Sequence, residues 1–402
     1  MSVTPHDIEA AHEVIRAHVQ RTPTIPAPRL GEPQNARVWL KLETLQYTGS
    51  FKDRGSCNKI EQVVARSEHH NGVIAASAGN HAQGVAHHAH RLGVAATIVM
   101  PVNTPFSKVE RTEAHGARVI LDGDSVAECN DIARELARAQ GMVFVHPFDD
   151  PAIIAGQGTT AVEMLEDVPG LDTLVVPIGG GGLAAGMAVW AKHVAPSLRI
   201  FGVQTEGCPS MHAALAGVAP PPLDTHTLAD GIAVKTPGAL PLELLRGRLE
   251  EVLLVGEQDV EEAVQQLVGH QKVVAEGAGA AGYAALLRHP HRFEGRNVGV
   301  VVCGGNIDRR MLSTVLLRGL KRDGKIAKLR VRIHDVPGVL SRVTQLIGAA
   351  GADVVDVEHQ RLFNHLAPRE AELHVVMETK GEPHVQQLLA QLADAGFQAE
   401  PM

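Results

Sequence analysis

The chain is 402 residues long, carries a formal net charge of -8, and is 45% hydrophobic but only 3% aromatic. This length accommodates two or three domains, whose cores must be filled mainly by aliphatic side chains. An acidic chain without a basic stripe is unsuited to nucleic acid, and no apolar run is long enough to span a bilayer. The N-terminus lacks the pattern of a signal peptide, so we expect a cytoplasmic protein.

The four cysteines and 22 histidines do not predict a metal site. The cysteines are far apart without a C-x-x-C pair and are expected to be reduced thiols. Histidines are adjacent at His69-His70 and His87-His88, but H-E-x-x-H and other recognised ligand spacings are missing. We therefore predict no bound metal.

Short apolar segments alternate with helical patterns, which is typical of parallel sheets covered by helices. The predicted strands are Val73–Ala76, Ala95–Met100, Arg118–Leu121, Thr173–Ile178, Arg199–Val203 and Val298–Val302. The predicted helices are His81–Leu92, Ser107–His115, Val126–Ala139 and Leu183–His193. The pattern predicts two α/β units, the smaller one (about residues 45–150) inserted in the larger. The segment Val38–Lys41 is a candidate strand of the larger unit's sheet.

The composition changes at the basic segment Gly319–Lys325, which predicts a domain boundary between residues 324 and 325. The following elements are predicted as strand, helix, strand, strand, helix and strand at Ala327–Ile333, Leu340–Ala349, Val354–Leu362, Glu370–Glu378, Pro383–Ala395 and the C-terminal tail. This βαββαβ order is the ferredoxin-like arrangement. We thus predict a catalytic domain at 1–324 and a small second domain at 325–402.

Lys52 lies in the segment Thr48-Gly49-Ser50-Phe51-Lys52-Asp53-Arg54-Gly55. A lone lysine is usually a solvated surface charge, but an amine can also bind the aldehyde of a cofactor whose phosphate needs a separate site. Gly179-Gly180-Gly181-Gly182-Leu183, between a predicted strand and helix, offers free backbone N–H groups and a helix dipole to such an anion. Glycine runs also form flexible loops, and the spacing fits neither an NTPase nor a dinucleotide loop.

Two further loops follow predicted strands. Ser77-Ala78-Gly79-Asn80-His81 offers polar side chains and backbone donors that suit a carboxylate, although Ser77 or Asn80 could equally be an ordinary helix N-cap. Cys303-Gly304-Gly305-Asn306 follows Val302, and a buried structural thiol is the ordinary interpretation of such a cysteine.

Together these segments resemble the β-family (fold type II) of pyridoxal 5'-phosphate (PLP) enzymes, and within it the threonine dehydratases, also called threonine ammonia-lyases. The resemblance covers roughly residues 5 to 320 and depends on S-F-K-x-R-G, S-x-G-N-H-A-Q-G, G-G-G-G-L and x-G-G-N, which are specific jointly but weak singly. It implies a two-domain catalytic fold like that of the tryptophan synthase β-subunit, a PLP cofactor and an amino-acid substrate.

The resemblance also implies a role for each matching residue. Lys52 would hold the cofactor as an imine and, once freed, remove the Cα proton as general base. Phe51 would pack on the pyridine ring, and Asn80 would bond the cofactor's 3-hydroxyl oxygen. The other implied contacts are Gly179, Gly180, Gly181, Gly182 and Leu183 for the phosphate, Ser77, Ala78, Gly79, Asn80 and His81 for the substrate carboxylate, and Cys303 and Glu276 for the pyridine side.

The implied reaction is β-elimination of L-threonine to 2-oxobutanoate and ammonia, with L-serine giving pyruvate. Cys303 stands where serine is commoner in the family. Its thiol would donate only a weak hydrogen bond to the pyridine nitrogen. The cofactor ring would then be a weaker electron sink, which favours prompt elimination. Ala78 stands where the resembling racemases carry a proton-donating serine, so we expect little racemase activity. Asp53 stands where many dehydratases have an apolar residue, which leaves the preferred substrate open.

Residues Leu329 to Met402 resemble an ACT domain, a module that binds amino acids. The implied effector contacts are Asp335, Pro337, Gly338, Val339 and Leu340, at the junction of the first strand and helix and at an inter-subunit interface. Isoleucine is the implied effector, because threonine deamination begins isoleucine synthesis, and a homodimer or homotetramer is implied. A dimerisation module without a ligand is the alternative.

Two other functions remain open from the sequence. The first is another enzyme of the same fold, a serine dehydratase or racemase-type enzyme or a threonine synthase-like one. The second is a catalytically inactive amino-acid sensor in which only the ACT-like domain functions. The intact Lys52 and glycine run count against the second.

Overall fold

The structure, a computed structural model, describes residues 2–361, 367 and 369–402. It divides into two compact units, Met1–Ile307 and Asp308–Met402. The boundary lies before the helix Arg309–Arg322, whereas the sequence placed it after this helix, at 324/325; the helix packs against the first strand of the second unit. None of the helices in the described residues has the length and apolarity to cross a membrane.

The first unit contains ten strands and twelve α-helices within the described residues. Its strands are β1 (Thr24–Pro26), β2 (Arg37–Leu42), β3 (Val73–Ala76), β4 (Ala96–Met100), β5 (Arg118–Leu121), β6 (Val143–Phe144), β7 (Thr173–Pro177), β8 (Arg199–Thr205), β9 (Glu251–Val255) and β10 (Asn297–Val302). Its helices are α1 (Pro5–Ile15), α2 (Pro28–Gly31), α3 (Lys52–Ala65), α4 (Asn80–Arg91), α5 (Phe106–Ala114), α6 (Val126–Gln140), α7 (Pro151–Asp167), α8 (Gly182–Val194), α9 (Ser210–Ala216), α10 (Ala239–Leu245), α11 (Glu257–Gln266) and α12 (Gly277–Arg288).

The larger sheet has the strand order β1-β2-β10-β7-β8-β9 and is parallel except for β1, which pairs antiparallel with β2. Strand β2 pairs with β10 from Arg37–Asn297 to Leu42–Val302, so the segment at Val38 joins this sheet. Strands β7 and β10 are fully buried, as their continuous apolar sequences predict. Their carboxyl ends are adjacent and lead into the glycine run and Cys303, the edge at which parallel sheets bind ligands.

The smaller sheet is entirely parallel, with the order β5-β4-β3-β6. The predicted strands Val73–Ala76 and Arg118–Leu121 are confirmed with the same bounds. Strand β3 lies inside the sheet and is buried along its length. The Ser77–His81 loop follows it at the carboxyl edge and leads into α4.

Helix α7 is in close contact with α3 on one side and α8 on the other. A Cβ on Gly156 would lie 2.7 Å from the Cα of Gly55 in α3, and a Cβ on Gly158 would lie 2.9 Å from the carbonyl oxygen of Gly186 in α8. Glycine is required at both positions because a side chain would hold the helix backbones apart. Lys52 begins α3 and the glycine run precedes α8, so α7 packs against both helices that carry these segments.

The second unit is a sheet with helices packed on its core face. Its elements are α13 (Arg309–Arg322), β11 (Ile326–His334), α14 (Val339–Ala349), β12 (Asp353–Gln360), β13 (Glu370–Glu378), α15 (Glu382–Asp394) and β14 (Gln398–Pro401). The sheet is antiparallel, with the order β12-β13-β11-β14, and Val331 packs with Ile347 and Leu388 in its core. The predicted βαββαβ order is confirmed; the strand predicted at Val354–Leu362 ends at Gln360, and Leu362 lies outside the described residues.

Candidate active site

The amine of Lys52 is held among protein atoms at the start of α3. Its Nζ donates a hydrogen bond to the carbonyl oxygen of Pro147 at 2.7 Å and lies 5.2 Å from the centre of the Phe51 ring. Burial lowers the pKa of Lys52 to about 8, although Cys303 and Glu276 act in the opposite direction. With a pKa of about 8, roughly a tenth of the amine is neutral at pH 7, against less than about a thousandth of an exposed lysine, and the neutral form is the one that acts as nucleophile or base.

The glycine run forms a tight turn between β7 and α8. Gly181 has a φ of 99°, in the left-handed region that favours glycine, and no side chain caps α8. A Cβ on Gly180 would lie 2.3 Å from the ring of Phe148, so this position cannot carry a side chain without displacing that ring. The first N–H groups of α8 have no partner within the helix, and they offer the donors and positive dipole end that bind a phosphate.

The Ser77–His81 loop leads into α4, and no side chain from the loop caps the N-terminus of this helix. Gly79 is the N-cap of α4, and no side chain caps this helix, so the N-cap role weighed for Ser77 or Asn80 is wrong. The Ser77 hydroxyl instead accepts the N–H of Gly79 at 3.1 Å. A Cβ on Gly79 would meet nothing within 4 Å, so the loop borders open space that a carboxylate could enter.

His81 does not direct its ring into this open space. Its Nε2 lies 3.0 Å from the carbonyl oxygen of Val145, and the residue is buried. Burial, together with the charge of Lys52, lowers the pKa of His81 to about 3, so the ring is neutral. Any contact of His81 with an anion therefore comes from its backbone N–H.

The side-chain amide of Asn80 is fixed by two neighbours. Its Oδ1 accepts a hydrogen bond from Asn306 Nδ2 at 2.8 Å, and its Nδ2 donates to Glu276 Oε1 at 2.7 Å. One N–H of the Asn80 amide remains for a ligand. The pKa of Glu276 is raised to about 7, because burial and Asp230 outweigh the hydrogen bond from Asn80. Asn306 was quoted in the x-G-G-N motif but not predicted as a site residue.

Cys303 lies just after the end of β10 and is buried. Its carbonyl oxygen accepts the N–H of Phe51 at 3.0 Å, which ties this loop to the segment that carries Lys52. Burial, with a smaller effect of Glu276, raises the pKa of the Cys303 thiol well above its ordinary value. The side chain is therefore a neutral thiol at physiological pH.

A buried ion-pair network behind the site was missed by the sequence analysis. Arg54 Nε contacts Glu43 Oε2 at 2.8 Å, and Arg54 Nη2 contacts Glu163 Oε2 at 2.7 Å. Lys41 Nζ contacts the same Glu163 oxygen at 2.7 Å, and all four side chains are buried. The network fixes the first turn of α3 against α7. A signal for it was present in the R of S-F-K-x-R-G, but partners 11 and 109 residues away cannot be read from a local pattern.

Comparison with known families agrees with this geometry. Residues 15–304 match the family described as pyridoxal-phosphate dependent enzymes, and residues 327–397 match the ACT domain. The chain therefore belongs to the pyridoxal-phosphate dependent enzyme family and carries a C-terminal ACT domain.

Relatives share both the sequence and the fold. The L-threonine ammonia-lyase of Thermotoga maritima is 41% identical over 397 residues, which cover 98% of each chain. The solved threonine deaminase of Solanum lycopersicum, isoform 2 in its processed form, is 31% identical with a TM-score of 0.73, covering 80% of this chain and 91% of that one. Maize serine racemase is 32% identical with a TM-score of 0.74, covering 80% of this chain and 99% of that one.

The residues of the site fit the PLP cofactor of this family. Lys52 supplies an amine of lowered pKa for its aldehyde, and the uncapped N-terminus of α8 supplies donors for its phosphate. The close approach of Gly180 to Phe148 leaves that turn as bare backbone. The remaining N–H of Asn80 and the neutral thiol of Cys303 are suited to the ring oxygen and ring nitrogen.

Proposed function

We propose that this chain is an L-threonine ammonia-lyase, which converts L-threonine to 2-oxobutanoate and ammonia and also converts L-serine to pyruvate and ammonia. The observation that carries the proposal is the Lys52 amine, with a pKa of about 8, in the same site as two uncapped helix N-termini. The full-length likeness to the Thermotoga maritima enzyme supports threonine as substrate. The reaction would be the first step towards isoleucine.

In this proposal, backbone donors hold both anions of the site. The N–H groups of Gly179 to Leu183 would bind the cofactor phosphate, the free N–H of Asn80 would bind its 3-oxygen, and Phe51 would pack against its ring. The Ser77–His81 loop would bind the substrate carboxylate through the N–H groups of Ala78, Asn80 and His81 and the hydroxyl of Ser77. The N–H of Ser77 is donated to Val99 and that of Gly79 to the Ser77 hydroxyl, so these two residues would shape the loop. The ring of His81 takes no part, because it is bonded to Val145.

Bound PLP supplies an electron-withdrawing ring that acidifies the Cα–H bond of the attached amino acid. Lys52 Nζ would then accept the Cα proton as general base, since its pKa of about 8 leaves far more of the amine neutral at physiological pH than in an exposed lysine. The carbonyl oxygen of Pro147 holds this nitrogen in place. Loss of the β-hydroxyl and hydrolysis of the released enamine give the 2-oxo acid and ammonia.

Two side chains direct the site to elimination. The Cys303 thiol, proposed to face the ring nitrogen, is neutral and donates only weakly, so it does not stabilise a long-lived carbanion as a carboxylate pair would. Ala78 carries no proton for the opposite face of Cα. Glu276 is proposed to line the ring through its bond to Asn80.

The test is a substrate panel with the purified holoenzyme. L-threonine, L-serine and the phosphorylated substrate of threonine synthases are supplied separately, and 2-oxobutanoate, pyruvate, D-serine and phosphate are measured, with Lys52→Ala as the blank. We expect 2-oxobutanoate to form fastest and D-serine to stay at the blank level. Rapid D-serine or phosphate release would assign another enzyme of this fold, and a cofactor-loaded protein without any product would support the sensor alternative.

We further propose that the ACT domain binds isoleucine at the turn before α14. Gly338 has a φ of 89° and forms the N-cap of α14 without a side-chain cap. The N–H of Val339 donates to the carbonyl oxygen of Val336 at 3.4 Å, so we propose that the N–H of Leu340, in the first turn after Pro337, is the backbone donor for the effector. Asp335 is held by Arg361, whose Nη2 lies 3.1 Å from Oδ1. Regulation requires that isoleucine bind two states of the enzyme unequally.

The effector is tested by titrating isoleucine and valine into the holoenzyme. We expect isoleucine to lower the rate at subsaturating threonine, and Asp335→Asn to weaken this response without changing the uninhibited rate. A rate independent of both amino acids would eliminate the regulatory role and leave the enzymatic one intact.

An effector site between subunits requires an oligomer, and we propose a homodimer or homotetramer. Sedimentation of the holoenzyme at several concentrations tests this, and a monomer at all of them would contradict it.

The four cysteines are all buried free thiols, which supports the proposed cytoplasmic location because reducing compartments keep thiols unpaired.

A further inference from the structure

Asp53, the residue after Lys52, is buried, and its carboxylate is bonded to the turn that precedes α3. Its Oδ2 accepts the backbone N–H of Thr48 at 3.0 Å, and its Oδ1 accepts the Thr48 hydroxyl at 2.6 Å. Only 1% of the residue is exposed. Both oxygens of one buried carboxylate are thus committed to a single residue, which closes the loop from Thr48 to Lys52.

Thr48 continues this contact to Asn80. Its carbonyl oxygen accepts one N–H of Asn306 Nδ2 at 2.7 Å, and the second N–H of the same nitrogen goes to Asn80 Oδ1 at 2.8 Å. An amide group that donates both of its hydrogens has a fixed orientation. The series Asp53–Thr48–Asn306–Asn80 therefore connects a carboxylate outside the site to the amide inside it.

His88 lies on the other side of Asp53. Its Nε2 is 3.7 Å from Asp53 Oδ1, and both ring nitrogens lack a hydrogen-bond partner among the described residues. Burial favours the protonated form of Asp53, but His88 and Thr48 outweigh it and hold the pKa of this carboxyl below its ordinary value. His88 belongs to α4, which begins at Asn80, so Asp53 contacts both the Lys52 loop and the helix that carries Asn80.

We propose that Asp53 is a positioning residue for the cofactor: through Thr48 and Asn306, and through its contact with His88 in the helix that begins at Asn80, it fixes the Asn80 amide against the 3-oxygen. This inference rests on the proposed contact of Asn80 with the cofactor. It gives a role to a carboxylate that stands where many dehydratases have an apolar residue. Asp53 does not touch the reacting atoms.

The experiment measures cofactor affinity, which needs no substrate. PLP is titrated into the cofactor-free protein for wild type, Asp53→Asn, Asn80→Ala and the double variant, and the dissociation constant and the absorbance band of the bound cofactor are recorded. Loss of the charged acceptor should raise the dissociation constant of Asp53→Asn about tenfold and shift the band. Because Asp53 acts through Asn80, the double variant should bind little worse than Asn80→Ala alone.

Controls separate positioning from general stability. Asp131→Asn makes the same chemical change at an exposed position of α6 and should bind PLP as wild type does. Thr48→Ser keeps the hydroxyl and should retain affinity, whereas Thr48→Val should weaken it. A folded Asp53→Asn with wild-type affinity and band, or additive losses in the double variant, would overturn the proposal. Absence of threonine turnover would overturn the proposed substrate but not this result.

Discussion

Charged side chains are arranged differently in the two compact units. In the first, Lys41, Arg54 and Glu163 are buried and contact one another directly behind the site. In the second, Arg330 and Glu400 pair across neighbouring strands with side chains 38% and 56% exposed. Exposed pairs contribute little to stability, whereas a buried pair is strongly destabilised when one partner is lost. The pairs of Arg54 and Lys41 with Glu163 therefore hold the start of α3 against α7, whereas the Arg330–Glu400 pair lies on a solvent-exposed face.

The largest effect is expected at Lys52, whose amine has a chemical role in the proposed reaction. Lys52→Ala removes the proposed base and the amine that binds the cofactor, so kcat should fall by at least about a thousandfold. Initial rates of 2-oxobutanoate formation measure this, with the reconstituted wild type alongside. A variant that kept a tenth of the wild-type rate would assign the base to another residue.

The difference between buried and exposed charge can be measured with one substitution at two places. Glu163→Gln removes the negative charge that Arg54 and Lys41 both contact. It should lower the free energy of unfolding by about 3–5 kcal/mol. Glu400→Gln, which disrupts the exposed pair, should cost less than about 1 kcal/mol. Denaturant unfolding followed by tryptophan fluorescence reports the first unit, since Trp39 and Trp190 both lie there, and circular dichroism reports both units. Equal losses of unfolding free energy in the two variants would show that the buried and the exposed pair contribute alike to stability.

Replacing a glycine by alanine should also have different effects on PLP binding in the two units. Gly180→Ala places a Cβ 2.3 Å from the Phe148 ring and should weaken PLP binding about tenfold or more, by the usual cost of overpacking. Gly348→Ala, in the exposed face of α14 with nothing within 4 Å, should leave PLP binding unchanged and stabilise the helix slightly. Titration of the cofactor-free variants gives both results. Wild-type affinity of Gly180→Ala would show that the turn does not hold the phosphate.

The smallest expected effect is a shift in pH dependence. Only the neutral amine attacks an aldehyde, and burial lowers the pKa of Lys52 to about 8. Uptake of PLP by the cofactor-free protein should therefore accelerate as the pH rises towards 8 and level off above it. A free lysine side chain should continue to accelerate to about pH 10.4. The same continued rise in the protein would show that Lys52 is not desolvated.

Although β9 (Glu251–Val255) was missed, most of the parallel strands were predicted from the sequence, because a short apolar segment bounded by turns is typical of a buried strand. Helix α7 was missed for the opposite reason: it is buried without interruption from Ala152 to Met164, so it has no polar face and no 3.6-residue periodicity. Strand β6 was missed because two residues give no pattern. The sequence therefore predicted most strands of the two α/β units, but not helix α7, which packs between α3 and α8.

The site residues divide in the same way. Lys52 and the glycine run could be predicted as site residues because their local sequence indicates the chemistry. Asn306 and Glu163 were not, because their importance comes from partners distant in the chain. The hydrogen bond of the His81 ring could not be predicted from the sequence either, because its partner Val145 is 64 residues away in the chain.

The glycine contacts of α7 have a consequence for the size of the site. PLP has a fixed length between its aldehyde and its phosphate, whereas the amine and the turn that would receive them begin two different helices. Gly156 and Gly158 allow α7 to touch both of these helices, backbone against backbone. Helix α7 therefore sets the distance between α3 and α8. Even one methyl group on either side would widen the gap that the cofactor has to bridge.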